Sequence, residues 1–405
     1  MLFTISWRNV WRNKLRSGII IVAVALGLTA SIFMTSLYKG LANQRIEKAI
    51  RTEVSHIQIH QSEFRENNDI TKFIPGALDM TSQIRSMETV SGAASRLVIY
   101  SMVASAETSA GIKISGIIPE QEMEVTNLQE KIVEGTYLTE KKKNPVLISR
   151  KLAEKLNVKM GSKVVITLQD LQNNIVSGAF RIVGLFDTHS KAYDESNIFV
   201  LYSDLSALMM VPPGAAHEIA IRVLRHDQVE GLYTDLESRY KELEVLTWSE
   251  LSPELWFLTE AMDFLMYVLF IIILLALLFG LVNTMLMVVL ERTKEIGMLM
   301  AVGMNRVRIF SMIVLETVFL ALTGGITGVF AGMLISKYFE THAIDLSRMG
   351  RAFEDLGFDS YVYTSMNVPL LINVTLLVIL AGILGSLFPA YRALQNNPSE
   401  ALRIE

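Results

Sequence analysis

Residues 291–310 read ERTKEIGMLMAVGMNRVRIF, a short charged segment between two long apolar runs. Its cations, Arg292, Lys294, Arg306 and Arg308, keep it out of a hydrocarbon core, where a charge is costly. Between them lies an apolar centre of Ile296, Leu299, Met300 and Val302, with Gly297 and Gly303 placed where a helix can bend or stop. The pattern predicts a short helix along the cytoplasmic membrane face. A topogenic loop whose only task is orientation has the same charge pattern, and spacing alone leaves both readings open.

The apolar runs on either side cover residues 262–290 and 309–335, and two more lie at 17–37 and 370–390. Each approaches or exceeds the ~20 residues that a bilayer core requires. The first is too long for most signal-peptide cores and reads as an uncleaved transmembrane helix. Ahead of it, residues 1–16 place Phe3, Trp7, Val10 and Trp11 at helical spacing, with Arg8, Arg12, Lys14 and Arg16 close by, as in an amphipathic interfacial helix. The cations of this arm and of residues 291–308 put both of them, and both termini, in the cytoplasm. Residues 38–260 and the shorter loop 336–369, which carries Lys337, Arg348 and Arg351, are then extracytoplasmic, and residues 391–405 form a cytoplasmic tail.

The 405 residues are 51% hydrophobic with a net charge of −4 and a mean hydropathy of +0.37. This balance fits a chain that is part membrane and part water, and does not fit a basic nucleic-acid binder. With no cysteine, the chain has no disulfide framework, thiol nucleophile or Cys-based metal site.

Between residues 38 and 260 the pattern turns to short strands and amphipathic helices. Strands are expected at 55–60 and 94–104, with a helix near 78–87. Strand, helix, strand follows over 144–168 and again over 217–246. Ser252, Pro253 and Glu254 form a helix start, from which one helix can run unbroken to about Glu291. At 1.5 Å per residue that is roughly 60 Å, about twice the ~30 Å core, so the excess projects above the bilayer as a stalk. Trp256 and Phe257 then lie near or above the outer interface, with Trp248 nearby in sequence. The first transmembrane helix likewise continues over 38–52 on the spacing of Leu41, Ile46 and Ile50.

Several motifs now carry a resemblance. Glu295-Ile296-Gly297 followed by Leu299-Met300-Ala301-Val302-Gly303 resembles the E-I-G-x-L-R-A-x-G signature of the FtsX-like, MacB-type ABC transporter permeases. Met300 stands where relatives often carry Arg. Residues 133–168 are similar to a MacB-like periplasmic domain, with Ser162 where its turn usually has Asp. The closing PAYRALQNNPSEALRIE (389–405) resembles the family's P-A-x-R-A…P-x-x-A-L-R ending. In layout the chain looks closest to the lipoprotein-releasing, LolC/LolE-type members.

The resemblance implies an α+β membrane protein of four transmembrane helices and a large extracytoplasmic domain, with a porter-like lobe (43–109 and 214–250) and an inserted β-rich lobe (110–213). It implies that residues 291–308 are a coupling helix seated in a groove of a separate ABC ATPase. Glu291, Arg292, Lys294, Glu295, Ile296, Gly297, Leu299, Met300, Ala301, Gly303 and Arg306 would serve that contact. Two ATPase copies, holding the ATP and Mg that this chain does not, and a second permease copy or paralogue are implied, as is a bacterial inner-membrane location. A periplasmic carrier or adaptor could join them.

Within the spans, Gly324, Gly328 and Gly332 repeat every four residues, as do Ala23, Gly27 and Ser31. Such rows allow close helix approach, within one chain or between two permeases. Asn283, Thr284 and Asn373 read as interhelical hydrogen-bonding residues. Glu316 is an acid well inside a span; the expected role is structural, paired with a cation at the inner interface such as Arg392. A proton relay needs a second buried ionisable group at matching depth, and the sequence shows none.

No G-x-x-x-x-G-K-[ST] occurs, so ATP hydrolysis by a P-loop is assigned to the partner. His56 and His60 are four apart but lack the Glu of a zinc-protease motif, and SHIQIH alternates like a strand. Ser36-x-x-Lys39 has no S-D-N or K-T-G companion. Lipoprotein release or export driven by an ATPase is the leading expectation. An FtsX-type regulator of a cell-wall hydrolase, moving no cargo, is the alternative.

Overall fold

The computed structural model describes residues 2–349, 357–366 and 368–394. It separates into two compact units, one from the described residues of 1–43, 259–345 and 361–405, the other from those of 44–258 and 346–360. Arg351, Arg403 and the end of the PAYRALQNNPSEALRIE motif lie outside the described residues.

The first unit is helical: α1 (Leu2–Arg12), α2 (Lys14–Ala49), α3 (Pro253–Glu291), α4 (Thr293–Ala301), α5 (Arg306–Thr341) and α6 (Val368–Leu394). Four helices, those of the expected spans, are long and apolar enough to cross a membrane. They overrun the expected spans because polar residues at their ends continue the helix. α2 continues into a π-turn, Ile50–Val54, and α3 is a single helix of 39 residues. Ile20, Val24, Leu28 and Ile32 of α2 pack with Ile309, Ile313, Phe319 and Leu320 of α5 in the unit's core.

The glycine row of α5 sits in that contact. A Cβ at Gly324 would stand 2.8 Å from Val24 Cβ, one at Gly328 2.7 Å from the Ala25 carbonyl oxygen, and one at Gly332 2.9 Å from Ile32 Cβ. The row is spent on packing within one chain. In the other row Ser31 is buried and donates to the Gly27 carbonyl at 2.8 Å, while Gly27 faces Leu277 of α3 and Ala23 is exposed.

The second unit contains β1 (Ile57–Gln61), β2 (Val90–Ala104), β3 (Ser109–Ile117), β4 (Ile132–Gly135), β5 (Pro145–Ser149), β6 (Lys163–Gln169), β7 (Ile175–Phe186), β8 (Asn197–Leu201), β9 (Glu218–Val223) and β10 (Leu243–Thr247). All ten belong to one sheet. At one end, strand order β10-β1-β9-β2 with helices Ala77–Arg85 and Val229–Arg239 makes a βαββαβ layer. Its core holds Ile57, Ile59, Ile84, Ile219, Ile221 and Leu236. At the other end the pairings β2-β3-β8-β5-β7-β6-β2 close a barrel filled by Ile99, Val103, Ile148, Ile166, Phe180 and Ile198.

The division expected between residues 109 and 110 falls at the start of β3, whereas the strand shared by both cores is β2. β2, 15 residues long, pairs with β9 through its first half and with β6 through its last residues, so the two cores adjoin along one strand.

Of the strand expected over 55–60, residues 57–60 fall in β1 while Ser55 and His56 precede it, and the segment's histidines serve the fold. His56 Nδ1 accepts the Val223 N–H at 3.3 Å; His60 Nδ1 lies 3.2 Å from the His217 carbonyl oxygen and its Nε2 3.0 Å from Gln58 Oε1. Burial pushes the His56 and His60 rings down to about 4. Folded rings then stay neutral until about pH 4, whereas unfolded rings take up a proton near pH 6.5. Stability is thus unaffected by these rings above the unfolded value and falls as pH drops from there toward 4, by on the order of 3 kcal/mol per ring at most. Hydrogen exchange of β1 and β9 in the full chain should accelerate over that window, and a flat profile would count against buried neutral rings.

Candidate functional site

The coupling segment is built by two helix ends. α3 stops at Glu291, and α4 follows with Arg292 at its N-cap. At its far end Gly303 adopts φ +96, a conformation that costs glycine little. The Gly303 N–H bonds the Met300 carbonyl at 3.1 Å and the Met304 N–H that of Leu299 at 2.9 Å, closing α4. Asn305 Oδ1 then accepts the Val307 N–H at 3.0 Å and starts α5.

This turn sorts the expected coupling residues into two sets. Ile296 and Gly297 are buried, and Leu299, Met300 and Met304 pack half-buried against the helical core. Met300 is thus an apolar packing residue. Facing outward are Lys294, Met298, Ala301, Val302, Gly303 and Arg306, with Val302 89% exposed.

The acids and remaining cations are tied to one another. Arg12, in the last turn of α1, pairs with Glu295, and Arg16 of α2 pairs with Glu291. Arg292 Nε lies 2.8 Å from Glu295 Oε2, and its Nη1 lies 3.2 Å from both Glu316 oxygens. The Arg12 hydrogen bond first, with the Arg292 contacts and against burial, holds the Glu295 carboxyl below the usual carboxylate range. The partner of Glu316 is therefore Arg292 and not Arg392. A helix N-cap just before α4 brings Arg292 to the flank of α5, which 24 residues of sequence separation concealed.

α1 is fixed to the same helix. Ser6 Oγ donates to the Met312 carbonyl at 3.1 Å, and Phe3 and Trp7 meet the Phe319 ring edge-on at 4.6 and 5.5 Å. Along the sequence Arg12 and Arg16 read as charges of an interfacial helix that orient the chain. Their role as partners of Glu295 and Glu291 has no local signal, since the pairs are 283 and 275 residues apart.

Four apolar helices, a charged turn held between two of them and a large sheet domain describe a membrane permease with a periplasmic-type domain. Residues 17–238 match the MacB-like periplasmic core domain and residues 267–398 the FtsX-like permease C-terminal family. The chain belongs to the FtsX-like, MacB-type family of ABC transporter permeases.

Among its relatives, an uncharacterized ABC transporter permease of Methanocaldococcus jannaschii is 24% identical, over 100% of this chain and 98% of that protein. The lipoprotein-releasing system transmembrane protein LolC of Xylella fastidiosa is 23% identical over 97% of each. The macrolide export ATP-binding/permease protein MacB of Neisseria gonorrhoeae is 22% identical over 99% of this chain and 60% of that protein.

Proposed function

We propose that this chain is the membrane subunit of an ABC complex that releases or exports cargo by mechanical transmission, with lipoproteins the leading cargo class. The observation that carries the reading is the exposed turn around Met298, Ala301 and Val302, continuous through Arg292 with the 39-residue helix α3. Two copies of an ATPase, which hold ATP and Mg, dock on this turn. The apolar tip enters a groove, and Lys294, Arg306 and Arg308 supply a cationic rim for acidic residues around it. A second copy of the chain or a paralogue completes the membrane part. Both termini are cytoplasmic, and the sheet domain lies outside the inner membrane, where a carrier or adaptor can receive cargo. Full-length similarity to LolC, a lipoprotein-releasing protein by name, supports the cargo class.

Val302→Asp and Met298→Asp test the docking. Both side chains are exposed, so folding should persist while an apolar anchor is replaced by a charge. ATPase binding to the purified permease should fall about tenfold or more. Binding and stimulation of the ATPase at wild-type levels by both variants would remove the docking assignment.

A further inference from the structure

The N-cap of α4 is filled against local preference. Ser, Thr, Asp and Asn favour that position because their oxygens accept the free N–H groups of the first turn. A guanidinium accepts nothing; it lies at the positive end of the α4 dipole, although also at the negative end of α3, whose last turn the Arg292 N–H closes on the Val288 carbonyl at 3.2 Å. Arg292 makes no capping bond with its side chain. It reaches instead to Glu316 on α5 and to Glu295 in the first turn of α4, at 3.2 and 2.8 Å.

Glu316 is 6% exposed in a largely apolar helix, and among the described residues Arg292 is the group that bonds its oxygens. Arg12 extends the series from α1 to Glu295. Charges alternate along Arg12, Glu295, Arg292 and Glu316 and sum to zero, so loss of any one leaves a neighbour uncompensated. Glue between two spans needs no particular place on a helix. Here the tether ends on the residue that begins the coupling helix, and α1 is itself fixed to α5 through Ser6, Phe3 and Trp7.

We infer that Glu316 is a positioning residue: acting through Arg292, it sets the angle of α4 against α5, so that displacement of the coupling segment enters α5 and α1 as well as α3. The transmission part of this inference rests on the docking reading above; the angle itself does not.

The absence of native cysteine allows a direct test on the full chain in lipid nanodiscs, with nitroxide labels at Arg8→Cys and Val302→Cys, both exposed sites. The parent should give one narrow distance distribution. Glu316→Gln and Arg292→Gln should each add a second, broader population. Glu316→Asp, which keeps the charge on a shorter arm, should fall between these and the parent and serves where Glu316→Gln folds poorly. A parent-like distribution in Glu316→Gln, or in Glu316→Asp where the former does not fold, overturns the inference.

With the ATPase present, transport by Glu316→Gln should drop about tenfold or more and recover in part in Glu316→Asp. Transport at the parent rate with a broadened distribution would overturn the transmission part. If the parent chain binds no ATPase, the docking reading fails, and the label distances still decide whether Glu316 positions α4.

Discussion

A Gly-Gly-Ser insertion between Thr259 and Glu260 should abolish cargo transport while leaving ATP hydrolysis by the assembled complex largely intact. α3 runs unbroken from Pro253 to Glu291, and its 39 residues span roughly 60 Å, about twice the hydrocarbon thickness. A hydrogen-bonded rod resists axial compression, so a movement of a few Å at its coupling end reaches the other end. Flexible residues absorb the same movement in a few backbone rotations. The insertion site lies more than thirty residues from Glu291, so helix register through the membrane and the turn around Val302 are untouched. Transport assayed in proteoliposomes, beside ATP hydrolysis by the same preparation, separates the two ends of the device. Transport at the parent rate by a well-expressed insertion variant would reduce α3 to a tether and end the mechanical reading.

Arg96→Met should destabilise the sheet domain by about 3–5 kcal/mol, the usual cost of removing one member of a buried ion set. Arg96 lies on β2, 5% exposed, between two carboxylates. It makes a fork to Glu122 at 2.8 and 2.7 Å and a third bond to Glu218 at 2.6 Å, with Lys113 4.0 Å from the latter. Burial alone would raise the Glu218 carboxyl, but Lys113 and Arg96 outweigh it and hold the group down at about 2.

Without the guanidinium, buried Glu122 loses the cation that bonds both its oxygens and Glu218 keeps Lys113 at 4.0 Å. Arg96→Lys should recover only part of the loss, since an ammonium cannot reproduce the fork. Adding Glu122→Gln and Glu218→Gln to Arg96→Met should restore most of it, because the uncompensated charges are then gone. Hydrogen exchange of β2, β9 and the helix Pro119–Val125 reports the effect. Arg96→Met protection equal to the parent would show that the set contributes nothing to the fold.

The residues that make each local element announced it. SHIQIH alternates, and its residues 57–60 fall in β1. The Ser252-Pro253-Glu254 start and the apolar run behind it became α3, and the charged interruption at 291–308 holds a shorter helix, Thr293–Ala301, closed by Gly303, with Arg306 and Arg308 already in the first turn of α5. Hydrophobic period, turn chemistry and the incompatibility of charge with hydrocarbon act over a few neighbouring residues, so these elements, the four spans and the family are legible along the chain.

Which residues meet depends on the packed fold. The sequence pointed Glu316 at Arg392, but the fold brings Arg292 instead, and it turns Ile296, Gly297 and Met300 of the coupling segment inward while Met298 and Val302 stay out. The glycines of α5 could have served either a partner or the same chain until the backbone of α2 was found against them. Arg96 and Glu218 are 122 residues apart, and the closure of the barrel depends on β6 returning to β2. No pattern along the chain encodes such pairings, because they follow from which surfaces exclude water or lipid together once all elements are packed.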